Sequence, residues 1–112
     1  MITDDVKARL TTFADKIEMF YGRYVTISES ISTNKANFDR HSSTFGNYEL
    51  KLEKVTWRMC GGRITFSQAD LYYEISIDNL VNFLEKERNC FEFLEQNSEA
   101  VFRMTTLKFK EL

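Results

Sequence analysis

His41 is the single histidine of the sequence, so any Ser–His or Cys–His nucleophilic mechanism must run through it. It stands beside Asp39, Arg40, Ser42 and Ser43, far in sequence from both cysteines, Cys60 and Cys90, which favours a solvated loop histidine. A zinc site would have to gather His41, Cys60, Cys90 and a carboxylate from four distant places, and no ligand spacing supports one. Cys60-Gly61-Gly62 has the composition of an exposed nucleophile or an anion-binding nest, but a hairpin turn accounts for both glycines. Gly22 and Gly46 stand alone, so there is no glycine-rich phosphate loop. The expectation is a protein without catalytic residues, metal or cofactor.

Binding chemistry has better material. Phe93, Tyr72 and Tyr24 are large aromatics that pattern outward, and residues of this type anchor interfaces. Arg58 and Arg63, with Lys54, give one face of residues 54–67 a basic character, and Tyr72 nearby could stack on a base. Two function classes follow. The leading one is a non-enzymatic protein-binding module: a small inhibitor, immunity-type protein or adaptor, with self-association open to it. The alternative is a nucleic-acid-binding regulator using the basic outer face of the 54–67 hairpin. A formal charge of −2 weighs against that alternative, because a dedicated polyanion binder normally carries a net positive charge.

The elements that must position these residues begin with a helix. Thr3 is a suitable N-cap, Asp4 and Asp5 face the positive end of the helix dipole, and Gly22 is placed to end the segment. Val6, Leu10, Phe13, Ile17 and Phe20 recur at steps of four and three and make one apolar stripe. Residues 23–31 read as a strand with Val25 and Ile27 on one face, and residues 32–44 as a long polar loop that Phe38 pins to the body. Tyr48, Leu50 and Leu52 share one parity, Val55, Trp57 and Met59 the other, so the strand needs a β-bulge or a break near Glu53-Lys54. A Gly61-Gly62 turn would then set Met59 opposite Ile64 and Trp57 opposite Phe66. The next strand carries Leu71, Tyr73, Ile75 and Ile77 inward.

Asp78 is a good cap for a second helix reaching about Asn97, with Leu80, Phe83, Leu84, Cys90, Phe91 and Leu94 as its stripe. On that helix Glu87 falls inside the stripe, as an acid or base in a pocket or, the favoured reading, in an ion pair with a residue such as Arg103 or at an edge. Phe93 lies roughly 100° from Leu94 and Phe83, among Asn82, Lys86 and Asn89, and should be exposed. A last strand is expected between Val101 and Lys110, with a helix as the alternative because Ala100, Met104 and Leu107 also fit helical spacing. The predicted fold is α+β, in the order α-β-β-β-β-α-β: an antiparallel sheet of about five strands with two helices on one face.

Length and composition bound the rest. A chain of 112 residues suits one domain, residues 1–112, and 43% apolar content with ten Phe can build its core. No apolar stretch approaches the roughly 20 residues of a membrane span. Met1-Ile2 runs directly into Thr3-Asp4-Asp5 with no signal-peptide pattern, and two cysteines without metal spacing suit free thiols, so a cytoplasmic location is expected. Phe, Ile, Lys, Tyr and Asn outnumber Gly, Ala, Arg and Pro, a bias that AT-rich genomes write, those of many phages and mobile elements included.

Overall fold

The computed structural model describes residues 2–33, 43–58 and 62–111. Helix α1 (Asp4–Lys16) opens as the sequence predicts: Thr3 is extended, and its hydroxyl accepts a hydrogen bond from the Val6 amide at 3.3 Å. A 3-10 turn (Ile17–Phe20) tightens its end, and Gly22, at φ +87°, takes the left-handed turn that glycine favours. The whole predicted stripe, Val6 to Phe20, is buried. No helix among the described residues is long and apolar enough to cross a membrane.

Eight strands follow: β1 (Tyr24–Ser32), β2 (Ser43–Lys51), β3 (Lys54–Arg58), β4 (Arg63–Gln68), β5 (Leu71–Ser76), β6 (Leu80–Glu87), β7 (Cys90–Ser98) and β8 (Val101–Phe109). They form a five-stranded sheet in the order β2-β1-β8-β7-β6 and a three-stranded sheet in the order β3-β4-β5, every pairing antiparallel. Sheet neighbours are therefore chain neighbours throughout, except where β8 returns to pair with β1. The chain passes from the large sheet to the small one at Leu52-Glu53, where the parity of the apolar residues changes.

The fold is α+β with one helix, and the second predicted helix is a hairpin. Residues 80–98 fold as β6 and β7 around Arg88-Asn89. Irregularities in register between Leu80 and Asn82, and again between Glu85 and Glu87, shift the side-chain alternation by a residue. They place Leu80 and Phe83 at a helix-like step of three. Strand β7 then buries side chains of both parities, Phe91 and Phe93 as well as Cys90 and Leu94. Glu87 ends β6 exposed, so no buried carboxylate arises there. Phe93 is 0% exposed, which contradicts the surface position expected for it.

Its surroundings show how the two layers are joined. Phe13 of α1 lies between the sheets, with ring centroids 6.4 Å from both Trp57 and Phe66 of the small sheet. From the large sheet Phe83, Phe91 and Phe93 approach it at 5.2, 4.8 and 5.6 Å. Most of these pairs meet edge to face, the favoured geometry for aromatic packing. The β3–β4 register also differs from expectation. Trp57 pairs with Ile64 and Val55 with Phe66, while Arg58 stands opposite Arg63. That register is not the one a Gly61-Gly62 turn would set, and Gly61 lies outside the described residues. The slip is two residues, so each side chain keeps its predicted face. Phe38, His41, Met59 and Cys60 lie outside the described residues.

Side chains close much of what the ladders leave open. The Tyr21 hydroxyl accepts from the Val55 amide at 3.0 Å on β3, Gln68 accepts from the Lys51 amide at 2.7 Å on β2, and the Arg9 guanidinium donates to the Phe83 carbonyl on β6. These contacts blunt strand edges that would otherwise offer unpaired backbone groups.

Candidate functional site

Strand β5 is where the edge stays partly open. Ile77 donates its amide to the Gly62 carbonyl, so residues 73 and 75 face β4 and residues 72, 74 and 76 turn their N–H and C=O groups outward. Two of these three residues are engaged from the large sheet. The Glu95 carboxylate accepts from the Ser76 amide at 3.0 Å, and Arg103 donates to the Glu74 carbonyl at 2.9 Å. Arg103 and Glu95 bond each other at 2.6 Å, with Glu95 only 2% exposed. Burial works against the Arg103 charge, but the Glu95 carboxylate outweighs it and the guanidinium pKa ends raised. This ion pair takes the place of a backbone ladder between β5 and β7. Among the described residues no such clamp reaches the outward backbone groups of Tyr72.

Tyr73 carries the inner side of the seam. Its hydroxyl donates to Glu29 of β1 at 3.1 Å and lies 2.8 Å from the Thr105 hydroxyl of β8, and the Arg103 guanidinium sits 5.4 Å from its ring. With one proton on each hydroxyl, the consistent chain runs from Thr105 to Tyr73 to Glu29. Burial pushes the Tyr73 pKa up, so the phenol stays protonated in the neutral range.

Two clefts flank Tyr72-Tyr73. One, about 400 Å³, holds Arg63, Tyr72, Glu74, Glu95 and Arg103. The other, about 410 Å³, opens between β1, β2 and β5, with Ile27, Leu50, Tyr48, Leu71, Tyr72 and Tyr73 as walls and Glu29 and Glu49 at its polar points. Both volumes lie in the range of small-molecule or side-chain pockets. At the mouth of the second cleft Tyr72 is 67%, Leu71 60% and Tyr48 46% exposed. The Tyr48 ring folds back along β2 over Gly46, where an added Cβ would meet its hydroxyl at 2.6 Å.

The residues singled out from sequence are thus only partly brought together. Tyr72 and Arg63 line one cleft, and Arg58 stands directly opposite Arg63, both exposed. Tyr24 is exposed on β1, where the Lys110 ammonium lies 5.9 Å from its ring, and it lines neither of these clefts. Phe93 is in the core and offers nothing to a partner. Leu71, expected inward, is at the surface. Glu29, Tyr48 and Tyr73 escaped the sequence reading as site residues. Glu29 left a signal: it shares the parity of Val25 and Ile27, a carboxylate on an otherwise apolar face. Cys90 is a free, buried thiol whose pKa burial raises, with Glu92 and Glu87 adding to the effect, which favours the protonated thiol over the thiolate. Compared with protein-family models, curated proteins and solved structures, the chain matches none of them.

Proposed function

We propose that this chain is a non-enzymatic protein-binding module, an inhibitor, immunity-type protein or adaptor of phage or mobile-element type, acting in the cytoplasm. The observation that carries the reading is the exposed trio Tyr48, Leu71 and Tyr72 beside the outward backbone of Tyr72 on the edge of β5. Large apolar side chains grouped at an open strand edge supply what strand-addition interfaces use: main-chain hydrogen bonds for affinity and side-chain pockets for specificity. The test is quantitative affinity capture with the wild type beside Leu71→Asp and Tyr72→Asp, with light scattering to detect self-association. A protein, or a second copy, that the wild type retains and both variants lose at unchanged melting temperature supports the reading. Equal recovery by all three removes this surface from it.

A second reading keeps nucleic acid as the partner, supported by Arg58 and Arg63 standing opposite each other on an exposed face. Phosphate contacts there would make binding fall steeply with salt. A gel shift without a complex at low salt ends this alternative.

A further inference from the structure

The cleft between β1, β2 and β5 has a chemical bias beyond apolarity. Its walls include three tyrosines, with the Tyr48 and Tyr73 rings 6.1 Å apart, and two carboxylates, and no lysine or arginine among the described residues lines it. Glu49 shares its charge with Lys110 at 3.1 Å on the outer surface. Glu29, only 8% exposed, accepts a hydrogen bond from the neutral Tyr73, while the Arg103 guanidinium, 5.4 Å from the Tyr73 ring, is bonded to Glu95. Aromatic faces beside a carboxylate attract a cation on an apolar stem: the rings hold it through their quadrupoles, and Glu29 supplies the opposite charge.

We propose that this cleft receives a lysine side chain of an extended partner segment whose backbone adds to β5 at Tyr72. The inference rests on the protein-binding reading above and names the chemistry of its partner. The backbone groups of Tyr72 point outward along the same edge that bounds the cleft, so one segment can bond the edge while its side chain enters. The methylenes then lie against Ile27, Leu50 and Leu71, and the ammonium reaches the tyrosines and Glu29.

The test is an NMR titration of the full chain with acetyl-Val-Lys-Val-amide, its norleucine counterpart and pentylammonium. The lysine peptide should shift resonances of Tyr48, Tyr72 and Glu29 and bind about tenfold tighter than the norleucine peptide, as one cation–aromatic contact plus a carboxylate implies. Glu29→Gln keeps an acceptor for Tyr73 and should erase the preference for lysine; Tyr48→Leu, at an exposed position, should weaken it with the fold intact. Equal binding of the lysine and norleucine peptides, or none of either, overturns the proposal. Pentylammonium binding as tightly as the lysine peptide overturns it too, assigning the cleft to a free amine. The capture experiment stands apart from these outcomes. A partner lost on Leu71→Asp with no lysine preference in the cleft sinks this inference alone. A lysine preference without any captured partner sinks the protein-binding reading and leaves standing only the cleft's preference for an ammonium group on an apolar stem.

Discussion

Arg103→Met leaves Glu95 as a carboxylate 2% exposed without a cation, and removes the donor from the Glu74 carbonyl. Breaking a buried pair from one side costs about 3–5 kcal/mol, most of it the penalty of the stranded charge. Pairing that change with Glu95→Gln removes the charge while an amide oxygen remains for the Ser76 amide, so only the Glu74 carbonyl is orphaned. That should cost about 1–3 kcal/mol. The double variant is therefore expected to be more stable than Arg103→Met alone by roughly 2 kcal/mol. Urea unfolding at pH 7, followed by the fluorescence of Trp57, measures all three proteins. If Arg103→Met costs less than about 1 kcal/mol, the pair behaves as a solvated one and water reaches Glu95. If the double variant is the least stable, the hydrogen bonds to β5 and not the charge are what the pair supplies.

Three further outcomes follow from the core, the seam and the cap. Phe93→Ala should cost about 3–5 kcal/mol in the same assay, since the ring is fully buried among Phe13, Phe66 and Phe83; a neutral effect would restore the surface helix. Tyr73→Phe should cost about 1–2 kcal/mol at pH 7, and because the folded pKa is raised, the unfolded chain releases this proton first once pH passes about 10. Wild-type stability then declines upward from that pH, and unfolding curves at pH 7 and pH 10.5 should show the gap to Tyr73→Phe narrowing; a constant gap refutes the burial of the phenol. Thr3→Ala should lower stability by about 1 kcal/mol through loss of the cap on Val6, read as a lower midpoint in urea with an unchanged slope.

The sequence was most legible where one periodicity ran without interruption. The α1 stripe, its cap at Thr3 and the alternation of Val25 and Ile27 all reported a single buried face. The break near Glu53 was visible because a change of parity has few physical causes. Residues 80–98 failed for the opposite reason. Bulges that shift a strand by one residue convert steps of two into steps of three, and a strand burying both faces fills the remaining helical positions. Distinguishing the two needed the partner strand, which local pattern does not contain. The site was legible one strand at a time and not as a place. Tyr72 and Arg63 could be named from sequence, but Glu29, Tyr48 and Tyr73 come together only because β5 crosses β1 and β2, and the Arg103–Glu95 pair had been sought at Glu87.

The pairing of β1 with β8 also sets a timetable. β1 is complete by residue 32, but the strand that lies between it and β7 begins at residue 101. At roughly 5–20 residues per second, synthesis of that interval takes about 4–15 s. Through it β1 keeps an open flank beside Val25 and Ile27, and once β7 is made Phe91 and Phe93 add a second one. A chain that lacks only β8 holds both flanks open, so nascent-chain proteolysis should show protection of the large sheet arriving in one late step rather than growing with length.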